Sequence, residues 1–407
     1  MHVVFVEPAF PRNQREFVRA LAQSGALVTA IGESSVDSLD PELKSWIFHY
    51  EKVPSVVHDD TIIRAVKWIQ SKKPVDRLEA TIEAHVLTAA RAREACGIPG
   101  TSVKTTILCR DKPAMKEALR QAGIPCAQST GTSSPDEVRE FASRVGYPLI
   151  LKPRAAAGAS GTYRASDASQ LESVMRECGV DRGAAVAVEE YIEGHEGFYD
   201  TIAIEGRVAH DFACHYYPNV LEAMRTRWIS PQFISTNRID TAPAYAEVRE
   251  LGRRVVAALG IETSPTHMEW FYGPKGLKFS EIGCRPPGVG AWDLHCAAND
   301  MDLYREWAAA ICWGTVTQRP SRAYSAGIIA LRPDRDGTIA GYEGLDEIRS
   351  RFNSWIIDCH IPNPGTPTQP VEAGYMANAW IRMRHPDYDE LRRMLDTVGQ
   401  VVKVRAN

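Results

Sequence analysis

Residues 267–288 read HMEWFYGPKGLKFSEIGCRPPG, and the fold prediction starts from this stretch. Two strand-like runs flank the Gly-Pro-Lys turn at 273–275, which predicts a β-hairpin. Side chains that share a face of adjacent antiparallel strands can converge, so this hairpin would bring Glu269 and Glu281 together. Two carboxylates on rigid strands suit Mg²⁺, a hard ion that also takes phosphate oxygens. The stretch therefore predicts a site for one or two Mg²⁺ ions and a phosphate group.

A solvent-facing pair of strand glutamates is the alternative interpretation, because such faces are usually solvated. The apolar neighbours of both acids favour a site instead: Met268, Trp270, Phe279 and Ile282. Arg285 follows Glu281 by four residues, just past the end of the strand. A cation there can neutralise charge that develops on a transferring phosphoryl group.

A strand followed by a loop of small residues forms the second element, LILKP at 149–153 and AAAGASG at 155–161. Small residues let backbone N–H groups approach phosphate oxygens, and Lys152 adds a point charge. The element is not a P-loop, since no GxxxxGK[ST] occurs. A strand that leads into a mobile loop is common, so this element is a weak signal by itself.

The third element is VEEYIEGHE at 188–196, an extended run that ends in a glycine turn with acids on both sides. Its acids could accept hydrogen bonds from an adenine amino group and from ribose hydroxyls. A charged edge strand followed by a turn explains the run equally well without further context.

The long connection at 216–240 is predicted as a loop, because it lacks strong periodicity and loops of that length are usually functional or disordered. Its aromatic residues argue against disorder. Arg225 and Arg227 would suit a substrate carboxylate beside an apolar side chain, together with Arg285. An ordinary surface loop with solvated arginines is the equally good alternative.

Residues 1–100 alternate strand-like and helix-like runs, which predicts a parallel sheet covered by helices. A dinucleotide site would need GxGxxG after the first strand, but the turn at 7–11 reads EPAFP. NAD chemistry is therefore improbable in this region. Beyond residue 316, short strands and turns predict a small α+β unit.

Composition excludes several classes of protein. The 407 residues carry a net charge of −4 with no basic stripe, which disfavours nucleic acid and anionic membranes as partners. No apolar run approaches the ~18 residues of a membrane span. The first residues, MHVVFVEPAF, resemble a strand rather than a signal peptide. Nine scattered cysteines without a CxxC pair indicate the reducing cytoplasm.

Taken in order, these segments resemble the ATP-grasp superfamily. The resemblance rests on Asp111-Lys112 before a helix, Lys152, the small-residue loop, the 188–196 run, and the paired glutamates with Arg285. It implies a mixed α/β and α+β chain: a Rossmann-like pre-ATP-grasp domain (1–100), an ATP-grasp domain (101–315, lid at about 125–195) and a small C-terminal α+β domain (316–407).

The resemblance also implies roles for individual residues. The implied ATP-binding residues are Lys112, Lys152, Gly158, Ser160, Gly161, Glu189, Ile192, Glu196 and Phe279. The implied metal ligands are Glu269 and Glu281, and the implied catalytic residues are Arg285 and Lys152. The implied substrate-binding residues are Arg285, Arg225, Arg227 and His267.

The pattern is most similar to that of L-amino acid ligases, which are ADP-forming carboxylate–amine ligases. Many superfamily members carry Glu-x-Asn at the metal site, whereas Gly283 stands here in the third position. This departure disfavours a carboxylase or purine-pathway enzyme, and a non-catalytic ATP-binding regulator is a further alternative. The resemblance implies ATP and Mg²⁺, for which Mn²⁺ can substitute, and small carboxylate and amine substrates; a homodimer is a possible assembly.

Overall fold

A computed structural model describes residues 1–153, 161–371 and 378–407. Near its N-terminus a parallel sheet has the order β3-β2-β1-β4, as the alternating pattern predicts. Its strands are β1 (His2–Val6), β2 (Leu27–Gly32), β3 (His49–Lys52) and β4 (Arg77–Glu79). The helices that accompany it are α1 (Gln14–Gln23), α2 (Pro41–Trp46), α3 (Asp59–Lys72) and α4 (Val86–Cys96). The strands β1 and β2 are nearly continuous apolar runs because helices cover both faces of the sheet.

A small antiparallel sheet follows, with the order β5-β8-β6-β7. Its strands are β5 (Ser129–Thr132), β6 (Leu149–Pro153), β7 (Tyr163–Ala165) and β8 (Val186–Glu190). The helices of this region are α5 (Val103–Leu108), α6 (Lys112–Gln121), α7 (Pro135–Val145) and α8 (Ala168–Cys178). Helix α6 begins where the sequence predicts, because the side chain of its N-cap Asp111 accepts a hydrogen bond from the Ala114 N–H.

A large antiparallel sheet has the order β13-β12-β9-β10-β11-β14-β17-β16. Its strands are β9 (His195–Ile204), β10 (Arg207–Tyr217), β11 (Gln232–Ser235), β12 (Ser264–Gly273), β13 (Gly276–Gly283), β14 (Ser325–Leu331), β16 (Ile356–His360) and β17 (Ala379–His385). A separate pair joins β15 (Ile339–Glu343) to β18 (Lys403–Ala406). The remaining helices are α9 (Val220–Ala223), α10 (Tyr245–Ala258), α11 (Ala291–Asn299), α12 (Leu303–Trp313), α13 (Leu345–Phe352) and α14 (Tyr388–Val401).

Helix α10 packs directly on the large sheet at Gly252. A Cβ atom at this position would lie 2.3 Å from Cε1 of Tyr199, so only glycine allows the close approach. The predicted hairpin β12–β13 forms, and β9 and β10 form a second hairpin. Within the described ranges, no helix is long and apolar enough to cross a membrane.

The connection at 216–240 differs from its prediction as a loop. It contains helix α9 and strand β11, and β11 pairs with β10 on one side and with β14 on the other. The prediction was wrong here because a four-residue run is too short to show a period. Its strand conformation comes from hydrogen bonds to two neighbours rather than from its own propensity.

The pairing of β11 with β14 also extends one sheet past residue 315. Strands β16 and β17 continue the same sheet. The predicted boundary at 315/316 thus falls between strands of a single sheet, and the domain limits stay predictions.

Candidate active site

A cavity of about 490 Å³ lies between the small sheet and the large sheet. Both sheets contribute charged side chains to its wall, among them Lys152, Glu189, Glu196, Glu269 and Glu281. Its apolar lining consists of Ala127, Ile150, Ile192, Val220, Leu221, Phe271 and Phe279. A cavity with an apolar part and a strongly charged part suits a ligand with a flat ring and a phosphate chain.

Three carboxylates of the large sheet face this cavity. Glu269 on β12 lies directly opposite Glu281 on β13, as the hairpin prediction requires. Glu196 on β9 is paired with Phe271, which is two residues from Glu269 and therefore on the same face. All three glutamates line the cavity.

Three lysines bind carboxylates at the charged end of the cavity. Lys112 Nζ lies 3.0 Å from Glu281 Oε2, and Lys116 Nζ lies 2.7 Å from Glu189 Oε1. Lys152 Nζ lies 3.4 Å from the other oxygen of Glu189. The sequence prediction missed Lys116, although it follows Lys112 by one helical turn and so shares its face of α6. That spacing is the signal that could have found it.

Neighbouring opposite charges outweigh burial at Lys152 and Glu189 and keep both groups ionised. Burial of the Lys152 ammonium lowers its pKa, but Glu189, Glu281 and Glu269 around it raise the pKa above its ordinary value. Burial of Glu189 raises its pKa, and Lys116 and Lys152 outweigh this effect and lower it to about 2. The cavity therefore presents fixed positive and negative charges at neutral pH.

Glu196 shows the opposite behaviour. Its burial raises the pKa of the carboxyl group, and the nearby charge of Glu269 raises it further. A cation bound between neighbouring carboxylates reduces the repulsion between their negative charges. Within the described ranges, no group of three or more Asp, Glu, His or Cys side chains could hold a metal alone. Glu269 and Glu281 fit Mg²⁺ as two protein ligands whose remaining coordination comes from phosphate and water.

Arg285 lies past β13 as predicted but is not part of the cavity wall, and Glu83 binds its side chain. Arg285 Nε is 2.7 Å from Glu83 Oε2, and Arg110 Nε is 3.0 Å from Glu83 Oε1. A Cβ atom at Gly283 would lie 3.4 Å from Arg285 Cγ and 3.6 Å from Glu83 Oε2. A side chain at 283 would therefore begin in van der Waals contact with this ion pair.

The structure separates the two loop arginines. Arg225 lines the cavity and donates a hydrogen bond to the carbonyl oxygen of Thr162. Arg227 Nη2 instead lies 2.7 Å from Asp336 Oδ1 and is not part of the cavity wall. Of the predicted substrate-binding arginines, Arg225 thus lines the cavity, while Arg285 binds Glu83 and Arg227 binds Asp336.

His267 lies beside Glu269, with its Nε2 3.8 Å from Glu269 Oε1. Burial lowers the pKa of the imidazole, but Asp200 and then Glu269 outweigh burial and raise the pKa to about 9. Of the predicted lid residues, Gly161 is described and has φ +68°. The predicted ATP-binding residues Gly158 and Ser160 lie outside the described residues.

Residues 117–300 match the ATP-grasp domain family. This segment therefore has the sequence of an ATP-grasp domain. The predicted resemblance to the ATP-grasp superfamily and the predicted mixed α/β and α+β fold are therefore confirmed. The roles of the individual site residues remain predictions.

The curated relatives of this chain include ligases. An L-arginine-specific L-amino acid ligase from Bacillus subtilis is 28% identical over 326 residues, which are 75% of this chain and 75% of that protein. The chain spans about half or less of the next curated relatives that it matches. The prediction of an enzyme of the ligase class is confirmed at the level of the family.

Two solved structures show the same ATP-grasp architecture. An L-amino acid ligase from Bacillus licheniformis has a TM-score of 0.78 at 17% identity, with 100% of this chain and 98% of that chain covered. A carboxyaminoimidazole ribonucleotide synthase from Aspergillus clavatus, solved with ATP, has a TM-score of 0.69 at 15% identity, with 98% of each chain covered. At sequence identities this low, the structural similarity shows a common fold only.

The raised pKa of Glu196 gives a first testable prediction. Between the ordinary pKa of a glutamate and this raised value, the folded protein binds more protons than the unfolded chain, so stability falls as pH rises through that window. Glu196→Gln cannot ionise and should lose this part of the pH dependence. In urea unfolding without divalent cations, the wild type should lose at least about 1.4 kcal/mol more than the variant between pH 5.5 and 8.5, the equivalent of one pKa unit. Parallel pH profiles for the two proteins would contradict the assignment.

Proposed function

We propose that the protein is an ATP-dependent carboxylate–amine ligase that activates an amino acid or a similar small carboxylate. The observation that carries the proposal is the charged end of the cavity, where Lys112, Lys116 and Lys152 meet the glutamates of both sheets. The sequence similarity to an L-amino acid ligase over three quarters of both chains supports the same class of reaction.

The proposed reaction has two steps. A carboxylate oxygen of the substrate attacks the γ-phosphorus of ATP, the bond from that phosphorus to the ADP oxygen breaks, and an acyl phosphate forms. The amine nitrogen then attacks the acyl carbon, the bond to the phosphate oxygen breaks, and phosphate and a proton are released. A free carboxylate is a poor acylating agent, so phosphorylation supplies the leaving group.

The residues of the cavity divide these tasks. Lys112 and Lys152 bind phosphate oxygens, while Glu189, Ile192 and Phe279 surround the adenine and Glu196 faces the ribose. Arg285 and His267 face the substrate carboxylate beyond the phosphates. Mg²⁺, when bound at Glu269 and Glu281, supplies charge that offsets the phosphoryl oxygens.

A screen for phosphate release tests this proposal. Amino acids and amines are offered alone and in pairs with ATP and Mg²⁺, and product masses are recorded. A ligase releases ADP and phosphate only with a suitable carboxylate and forms an amide with a suitable amine. Phosphate release that needs bicarbonate would instead indicate a carboxylase-type enzyme, and ATP binding without turnover would indicate a regulator. A cytoplasmic location, one or two Mg²⁺ ions and a homodimer remain parts of the proposal.

The two loop arginines provide a matched pair of variants. Arg225→Met keeps bulk but removes the charge, and should raise the KM for the amino-acid substrate about 30-fold, the effect of losing about 2 kcal/mol from a charged hydrogen bond. Arg227→Met should leave that KM nearly unchanged, because Arg227 binds Asp336 outside the cavity. Steady-state kinetics with each substrate varied in turn check this. A rise in the KM for ATP alone would assign Arg225 to the nucleotide instead.

A further inference from the structure

A chain of buried polar side chains leads away from the cavity behind His267. His267 Nδ1 lies 2.7 Å from Asp200 Oδ1, and His295 Nε2 lies 2.7 Å from Asp200 Oδ2. The far nitrogen of His295, Nδ1, lies 2.9 Å from the Ser235 hydroxyl. Asp200, His295 and Ser235 are 2%, 0% and 1% exposed, respectively. The chain therefore links four side chains from β9, β11, β12 and α11, and three of them, Asp200, His295 and Ser235, are closed to solvent.

The hydrogen bonds of this chain determine which atom each group presents. Each oxygen of Asp200 accepts an N–H from one imidazole, so His267 carries a proton on Nδ1 and His295 carries one on Nε2. The Ser235 hydroxyl then donates to His295 Nδ1. The ring of Phe198 lies edge-on to His267 at 5.0 Å between centroids. The hydrogen bond to Asp200 and the contact with Phe198 thus fix the His267 ring. Its Nε2 is turned toward Glu269, which lines the cavity.

The burial of this chain requires an explanation. A buried carboxylate costs several kcal/mol of desolvation, and apolar residues of similar volume often serve a core equally well. The apolar residues Phe198, Phe212 and Cys214 around these strands already supply core contacts. A buried, ionised Asp200 is explained if its hydrogen bond to His267 sets the orientation of that imidazole beside the cavity.

We infer that Asp200 and His295, with Ser235 behind them, are positioning residues that fix the His267 ring so that its Nε2 is turned toward Glu269 and the proposed place of the substrate. The inference rests on the proposed function and extends it to residues that do not line the cavity. A side chain fixed in advance loses no rotational freedom when the substrate arrives, which favours the geometry of attack. The sequence offered no signal for this chain, since its four members come from distant segments.

Variants of His295 test the inference in the full-length enzyme. His295→Phe removes both hydrogen bonds and should lower kcat about 30-fold, the loss expected for a hydrogen bond to a charged group, with the KM for ATP within twofold of wild type. His295→Gln retains an N–H donor for Asp200 and should recover most of the activity. His210→Phe is the matched control, because His210 is also a buried histidine next to a buried carboxylate, Glu306, and does not line the cavity. This variant should lose stability without losing kcat.

A spectroscopic readout separates this inference from the proposed function. In protein labelled with ¹⁵N-histidine, and assigned with His267→Asn, the Nε2 resonance of His267 should shift when L-alanine is added as the probe carboxylate with Mg²⁺ and a non-hydrolysable ATP analogue. Asp200→Asn or, if that variant does not fold, His295→Phe should abolish the response. If His267 responds while the screen finds no ligase activity, the proposed ligase function fails and the positioning role stands. A wild-type resonance that does not respond, or equal kcat values for His295→Phe and His210→Phe, would overturn the inference.

Discussion

Glu281→Gln is expected to lower turnover about a thousandfold or more while the protein stays folded. Glu281 lies opposite Glu269 and binds Lys112, so its carboxylate contributes both to the predicted metal site and to the arrangement of a phosphate-binding lysine. The amide keeps the shape but cannot supply the second anionic ligand that Mg²⁺ requires beside Glu269. Charge stabilisation at a transferring phosphoryl group is usually the largest single contribution to such catalysis.

The measurement is phosphate release at saturating ATP and Mg²⁺, with the unfolding midpoint recorded in parallel. Glu262→Gln is the matched control, because Glu262 is an exposed glutamate that precedes β12 and does not line the cavity. It should keep wild-type activity. If Glu281→Gln retained full activity at saturating Mg²⁺, Glu281 would not be a metal ligand.

Lys152→Met should weaken ATP binding about 100-fold, and Lys112→Met should have a smaller effect. Lys152 lies on an inner strand of the small sheet, and its pKa responds to Glu189, Glu281 and Glu269 together. Lys112 has its direct ion pair with Glu281. A hydrogen bond between charged groups contributes about 1.5–3 kcal/mol, so the more central lysine should account for the larger share of phosphate binding.

Calorimetric titration with a non-hydrolysable ATP analogue gives the order of the two effects. Circular dichroism of both variants controls for folding, since Lys152→Met leaves the buried Glu189 with Lys116 alone. Equal affinities, or a weaker effect for Lys152, would mean that the strand does not deliver its lysine to the phosphates.

Features that depend on residues close together in the chain could be predicted from the sequence. The hairpin that aligns Glu269 with Glu281 follows from a turn between two apolar runs, and the start of α6 follows from the N-cap Asp111. Both are local patterns, so a single sequence contains them. The mixed fold followed from the order of such patterns along the chain.

The features that sequence analysis missed depend on residues far apart in the chain. Strand β11 exists because β10 and β14 bind it from both sides. Asp336, 109 positions beyond Arg227, binds that arginine away from the cavity. No local periodicity encodes such contacts, which arise when the large sheet assembles.

The large sheet contains strands from both sides of residue 315, and this arrangement limits how the protein can be engineered. An exchange of residues 316–407 between related ligases would have to match the register of β14 against β11, where Phe233 faces Ile328 and Ile234 faces Gly327. Gly327 leaves little room, since a Cβ atom there would lie 2.5 Å from Leu395. A truncation before β14 would expose a bare strand edge, which favours aggregation. Chimeras are therefore best joined within surface turns that keep β11, β14 and β17 from a single parent.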